Sequence, residues 1–248
     1  MAVVFEKTPS ITGKPFHYCS GCSHGIVHRL VAEVIDEMGL AGKTVGVAPV
    51  GCAALAYEYF DFDFIQSAHG RAPAVATGIR RCQPESVVFT YQGDGDLASI
   101  GTAEIIHTAL RGENLTTIFV NNAIFGMTGG QMSPTTLINQ RTTTSVKGRD
   151  KAAAGSPLRV CEMLSTIEGA TFVERTSVHN TLNIKRTKKA IHAAFENQLR
   201  GGGFSLVEVI AACPAGWGMN PTDALQWLEQ NMLEYYPLGN FRNPQEVN

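Results

Sequence analysis

The chain has 248 residues, with Lys+Arg 20 against Asp+Glu 22 and a net charge of −2. Hydrophobic residues make up 44% and charged residues 17%, a composition that excludes dominant disorder and any collagen, coiled-coil or disulfide scaffold. No basic excess exists to neutralise phosphates, which argues against nucleic-acid binding.

Taken in chain order, apolar residues at helical spacing predict a first helix over 25–38, stopped at Gly39. A short strand is expected over 44–47 and another over 63–66, with the aromatic stretch 57–64 between them unassigned. A helix over 72–82 tolerates Pro73 in its first turn. Strand 86–91, helix 97–111 and strand 115–120 form a strand–helix–strand unit, predicting a parallel pair. Residues 124–155 are rich in Gly, Thr, Ser and Pro and read as a long ordered loop. Then follow helix 158–167, strand 170–174, helix 181–199, strand 205–210 and a last helix over 222–235. This alternation predicts an α/β fold, an open and mostly parallel sheet with helices on both faces, as one domain over 1–248. Ligands of such sheets bind at the carboxyl ends of the strands.

No run of apolar residues is long enough to span a bilayer, and residues 1–9 lack the pattern of a signal peptide. With six cysteines, that suggests a reducing compartment, the cytoplasm, where thiols stay free or hold metal.

Gly93-Asp94-Gly95 falls where a strand ends and a helix begins. Glycines allow close backbone approach, and a helix N-terminus suits a phosphate. Asp94 would repel a bare diphosphate but makes sense with a divalent cation between them. The next strand ends in Asn121-Asn122, whose amide oxygen suits a hard cation. The competing reading is a dinucleotide site, since Gly93 to Ala98 fits G-x-G-x-x-A. That fingerprint expects an acid near the end of the next strand, and here Glu113 precedes that strand instead.

Cys19 and Cys22 form a Cys-x-x-Cys, compatible with half a zinc site, a redox pair or half an iron–sulfur site. Cys52 follows Val50-Gly51 in a turn, and Cys213 precedes Pro214, as cluster ligands often do. Cys82 and Cys161 sit in helical runs and read as small buried hydrophobes. His24 and Gly25 read as supports of the cysteine loop, and Lys147, Arg149 and Lys151 as a solvated stretch, with a docking surface or a clamp for an acidic substrate as the alternatives. Trp217 and Trp227 read as core.

Gly-Asp-Gly, a helix, a strand and Asn-Asn together resemble the thiamine diphosphate enzymes. Residues 122–136, His69-Gly70-Arg71-Ala72, the Cys-x-x-Cys-x-His-Gly and the Cys-Pro-Ala-Gly-Trp-Gly resemble the β subunit of 2-oxoacid:ferredoxin oxidoreductases. The resemblance covers roughly residues 15 to 240 and implies the diphosphate-binding domain of that fold. It implies Mg²⁺ held by Asp94, the Asn122 side chain and the Ile124 carbonyl. It implies a thiamine diphosphate site of Gly51, Cys52, Ala53, His69, Gly70, Arg71, Gly93, Gly95, Asp96, Gly126, Met127 and Thr128. His69 and Arg71 are its expected catalytic pair, contacting the diphosphate or the substrate carboxylate. A [4Fe-4S] cluster on Cys19, Cys22, Cys52 and Cys213 would join the N-terminal segment to the C-terminal extension.

The implied reaction is oxidative decarboxylation of a 2-oxoacid to acyl-CoA and CO₂, with electrons passed to ferredoxin. The substrate is expected to be 2-oxoisovalerate or 2-oxoglutarate, ahead of pyruvate. An α subunit would supply the aminopyrimidine-activating domain, with γ and ferredoxin-like δ subunits alongside; neither nucleic acid nor membrane is expected. The alternatives are an NAD-dependent oxidoreductase and a zinc-stapled binding module.

Overall fold

The computed structural model describes residues 6–244; the start of the 1–9 segment and both ends of the expected 1–248 domain lie outside them. Seven strands form one sheet in the order β2-β1-β3-β4-β6-β5-β7. They are β1 (Thr44–Ala48), β2 (Asp63–Gln66), β3 (Val87–Gly93), β4 (Thr116–Asn121), β5 (Ala170–Ser177), β6 (Phe204–Ile210) and β7 (Gly239–Arg242). Every pairing is parallel except that of β5 with β7, an antiparallel edge absent from the sequence expectation. Gly239–Arg242 is too short and too polar to carry a strand pattern of its own.

The helices are α1 (His24–Glu37), α2 (Ala56–Tyr59), α3 (Ala72–Cys82), α4 (Thr102–Leu110), α5 (Lys151–Ala154), α6 (Val160–Ser165), α7 (Thr181–Leu199), α8 (Pro214–Trp217), α9 (Pro221–Trp227) and α10 (Leu233–Tyr235). Helices cover both faces, as parallel sheets require. Val87, Phe89 and Tyr91 of β3 point into one core with α1 and α7. Val88 points into the other with α3, α4 and α6. The caps are local: the Asn180 side chain accepts from the Asn183 N–H at 2.9 Å to start α7, and Asn220 does the same for α9 through Asp223 at 2.9 Å.

Several boundaries differ from the expectation for identifiable reasons. The helix expected over 97–111 begins as a π-type turn, Asp96–Ile100, and restarts as α4 after Gly101. A methyl group at Gly101 would sit 2.2 Å from the Asp96 carbonyl, so this chain crossing admits glycine alone. The last helix is likewise interrupted by a π-type turn, Leu228–Met232. The unassigned 57–64 stretch contributes α2 and a stack of Phe60 on Phe64 with ring centroids 5.3 Å apart.

The long loop is held from inside by Arg149, which corrects the expectation that this residue is solvated. Arg149 is 5% exposed. Its guanidinium donates to the carbonyls of Ser133, Pro134, Thr136, Ala154, Gly155 and Ser156 at 2.8–3.2 Å. Its neighbours Lys147 and Lys151 are exposed, as expected. No helix among the described residues is long and apolar enough to cross a membrane.

Candidate active site

The sheet order reverses between β1 and β3, because β2 lies outside β1 and the chain returns to place β3 on its other side. Ligands of open α/β sheets bind at such a point. The cleft found there is lined by the loops after β1 (Pro49, Val50, Gly51, Cys52, Ala53), β2 (His69), β3 (Gly93 to Asp96) and β4 (Asn122, Ile124 to Thr128). His24, Ser99 and Ile100 complete it.

Asp94 is 3% exposed at the floor. One oxygen accepts from the Asn122 N–H at 3.1 Å. The other accepts from the Ile124 N–H and the Ser133 hydroxyl, each at 3.1 Å, and from the Thr135 hydroxyl. None of these donors is charged. Burial pushes the Asp94 carboxyl up to about 6, against the opposing pull of these hydrogen bonds. The loop reaches this geometry through Ala123, a non-glycine residue at φ 58, a conformation that costs energy and persists where surroundings enforce it. Asn122 lines the cleft, and its side chain takes no part in these bonds. A buried carboxylate with no cation beside it, next to an amide oxygen, is the donor chemistry that Mg²⁺ takes.

Asp96 lines the cleft and also holds the surrounding loops. One oxygen accepts from the Val50 N–H at 3.2 Å, His69 Nδ1 at 2.8 Å and the Gly70 N–H at 2.9 Å. The other accepts from Gln92 Nε2 at 2.7 Å. Asp96 therefore ties three strand ends together. Because a carboxylate accepts, His69 Nδ1 carries the hydrogen, and Nε2 is the acceptor of the neutral ring.

Arg71 pairs with Glu104 of α4 and does not line the cleft, nor does Gly70. Gly51, Ala53, Gly93, Gly95, Gly126, Met127 and Thr128 do line it, with Met127 59% exposed.

All four expected cluster cysteines are free. A methyl at Gly126 would lie 3.2 Å from the Cys213 Sγ and 3.5 Å from the Cys52 Sγ, so both sulfurs flank that glycine. Burial pushes Cys22 and Cys52 up to about 11 and Cys213 up to about 12. The neighbouring thiols push the same way: Cys52 and Cys19 on Cys22, Cys213 and Cys19 on Cys52, Cys22 and Cys19 on Cys213. Thiols close enough to shift Cys22, Cys52 and Cys213 are chemically compatible with a multi-iron centre, which spreads its ligands. Among the described residues no three His, Cys, Asp or Glu converge to hold a single metal ion. Cys161 is buried as expected, but Cys82 is exposed at the end of α3, which corrects its reading as core.

Sequence patterning also gave His24, Pro49, Val50, Ser99, Ile100 and Phe125 no place in the site. His24 is buried, hydrogen-bonded to the Tyr91 hydroxyl at 2.9 Å and held neutral by burial, its pKa lowered to about 4. Ile100 belongs by periodicity to a helix face, but the π-type turn rotates it outward, to 49% exposure. Glu113, the acid of the dinucleotide reading, precedes β4 and is paired with Arg81 and Arg111, at the opposite end of the strand from the cleft.

Residues 49–209 match the family model described as thiamine pyrophosphate enzyme, C-terminal TPP binding domain. The ketoisovalerate oxidoreductase subunit VorA of Methanothermobacter thermautotrophicus is 47% identical over 240 residues, 97% of this chain and 50% of that protein. The chain thus spans about half the length of that relative. The 2-oxoglutarate synthase subunit KorB of Archaeoglobus fulgidus is 36% identical over 217 residues, 88% of this chain and 77% of that one. A solved 2-oxoglutarate:ferredoxin oxidoreductase from Magnetococcus marinus, with 2-oxoglutarate, coenzyme A and succinyl-CoA bound, superposes with a TM-score of 0.82 at 25% identity, over 97% of this chain and 85% of that one. By sequence, fold and the placement of its cleft, the chain belongs to the thiamine pyrophosphate enzymes, among the subunits of 2-oxoacid:ferredoxin oxidoreductases.

Proposed function

We propose that this chain is the thiamine diphosphate-binding β subunit of an enzyme that oxidises a 2-oxoacid with an apolar side chain, 2-oxoisovalerate by preference, to its acyl-CoA and CO₂. The observation that carries this is one cleft holding a buried, cation-free carboxylate, with the thiols of Cys52 and Cys213 flanking Gly126 of its lining. Asp94, Asn122 and Ile124 would hold Mg²⁺, and Cys19, Cys22, Cys52 and Cys213 a [4Fe-4S] cluster. When bound, thiamine diphosphate supplies the nucleophilic carbon for decarboxylation and the cluster accepts single electrons for ferredoxin.

The chain's own residues position and exclude. Asp94 offers its charge to the cation, and the Asn122 amide offers a neutral oxygen. Asp96 fixes the loops after β1 and β2 at their spacing from β3. His69 presents its ring at the cleft wall, oriented through Nδ1. Val50, Ile100, Phe125 and Met127 make an apolar wall of the cleft, which would exclude water once a partner covers it. No Lys or Arg lines the cleft among the described residues, so a second substrate carboxylate meets no cation on this chain. That favours a branched apolar substrate over 2-oxoglutarate, and agrees with the higher identity to the ketoisovalerate enzyme.

Val50, Ile100 and Met127 are also exposed around the cleft, and the longer relative extends well beyond this chain. Both features support an α subunit that covers the cleft and brings the aminopyrimidine-activating carboxylate. Further γ and ferredoxin-like δ subunits would lead electrons away, in the reducing cytoplasm where free thiols persist. The test is anaerobic purification followed by iron, zinc and thiamine analysis and by rates with each oxoacid. We expect a brown protein containing iron and thiamine whose kcat/KM is highest for 2-oxoisovalerate. A colourless zinc protein, or one that binds NAD and no thiamine diphosphate, would overturn the function. A higher kcat/KM for 2-oxoglutarate would overturn the substrate.

A further inference from the structure

Trp217 reads as core, yet its indole is committed to the floor of the cleft. Its Nε1 donates to the Asn122 carbonyl at 3.0 Å. The Asn122 N–H in turn donates to Asp94 at 3.1 Å. The backbone of Asn122 is thus fixed on both sides, with only its side chain left for the cleft. The other end of the same turn belongs to the thiols. Cys213 caps α8, and the Trp217 N–H donates to the Cys213 carbonyl at 2.9 Å. Within that turn a methyl at Gly216 would lie 2.8 Å from the Cys213 Sγ and 3.2 Å from Ile124 Cγ2. One four-residue helix therefore touches a thiol on one side and the Asp94 loop on the other.

The N-terminal thiol pair joins the same unit. Ser23, next to Cys22, accepts through its hydroxyl from the Ala212 N–H at 2.9 Å, and its own N–H donates to the Ala212 carbonyl at 3.3 Å. Ala212 is next to Cys213. Anything that fixes the thiols fixes α8, and α8 is bonded to the residue that orients the cation loop.

We infer that Trp217 is a positioning residue that couples occupancy of the four-thiol site to the affinity of the Asp94 loop for a cation and diphosphate. The inference rests on the proposed Mg²⁺–diphosphate and cluster sites. It adds that the two are energetically linked through a single indole N–H. Linkage is reciprocal in binding free energy: a bound cluster tightens Mg²⁺–thiamine diphosphate, and the bound diphosphate stabilises the cluster by the same factor, a gain expected to appear as slower cluster loss. The net worth of one neutral hydrogen bond sets the scale at about five-fold.

The experiment measures iron release to a ferrous chelator, under anaerobic conditions, from the protein with whatever subunits accompany it. Rates are taken with and without saturating Mg²⁺–thiamine diphosphate. In the wild type the diphosphate should slow release about five-fold. In Trp217→Phe the ratio should fall towards one, while starting iron content and circular dichroism stay unchanged. Trp227→Phe, which replaces the neighbouring indole 4.7 Å away by a phenyl ring, should keep the wild-type ratio. If Trp217→Phe does not fold, benzothienylalanine at 217 keeps the bicyclic shape, replaces the N–H by sulfur and should also lose the ratio. A variant that retains the wild-type protection, or a wild type in which bound diphosphate leaves iron release unchanged, overturns the coupling. Calorimetry and iron analysis of the wild type come first. Absence of diphosphate binding or of iron there would overturn the underlying sites instead, a result distinct from loss of linkage alone.

Discussion

Glu208 and Asp94 are both buried carboxylates, one in β6 and one just beyond β3, with β4 between them. Their partners differ in charge. Glu208 meets the Arg175 guanidinium at 2.8 Å, and Arg175 is shared with Glu162 at 3.0 Å. Asp94 meets hydroxyls and backbone N–H groups alone. The adjacent asparagines divide between the two acids: Asn121 donates its side-chain amide to Glu208 at 2.7 Å, and Asn122 donates its backbone N–H to Asp94 at 3.1 Å. A buried charge is tolerated when paired and costly when not. The fold supplies a cation to Glu208 and none to Asp94, as the proposed Mg²⁺ site requires.

The comparison breaks first at Arg175, where the largest effect is expected. Arg175→Met leaves Glu208 buried and unpaired, and should destabilise the chain by about 3–5 kcal/mol in chemical denaturation. Arg175→Met with Glu208→Leu should recover most of that loss. If the double variant is as unstable as the single, Glu208 is not held by its counter-charge and the contrast with Asp94 fails.

A more local effect is expected at the thiols, which burial keeps protonated in the ligand-free chain and which the proposed cluster would bind as thiolates. Ser at Cys19, Cys22, Cys52 or Cys213 should empty the protein of iron when assayed anaerobically. Ser at Cys82 or Cys161 should leave iron content at the wild-type level. Iron lost from Cys82→Ser and retained by Cys213→Ser would reverse the assignment.

The parts of this contrast legible in the sequence are the local ones. Parallel strands buried on both faces give continuous apolar runs, so all strands but the short β7 edge could be read. Gly-Asp-Gly, Asn-Asn and the turn cysteines stand out because glycine and polar residues at strand ends leave few structural explanations. What escapes depends on distant partners. Arg149 looks solvated until six carbonyls of its own loop close around it. Arg71 looks aimed at an anion until Glu104 takes it. Asp96 differs from Asp94 only in what folds against it, and Ile100 reaches the cleft only because a π-type turn breaks the helical period. Arg175 and Glu208 carry no motif; only the pairing of β5 with β6 brings them together.

The most direct test of the central claim is a calorimetric titration of Mg²⁺ with thiamine diphosphate as a function of pH. In the ligand-free chain the Asp94 carboxyl is raised from 3.8 to about 6 by burial. The folded state therefore holds this proton more tightly than the unfolded one. The stability it contributes is lost as pH rises from the unfolded value through the folded one, and a bound cation restores it. Protons and Mg²⁺ then compete for the same oxygens. Affinity should be flat above the raised pKa and fall about tenfold for each pH unit below it, and Asp94→Asn should remove both the binding and its pH dependence. Undiminished Mg²⁺-dependent binding well below that pKa, or its survival in Asp94→Asn, would contradict the account.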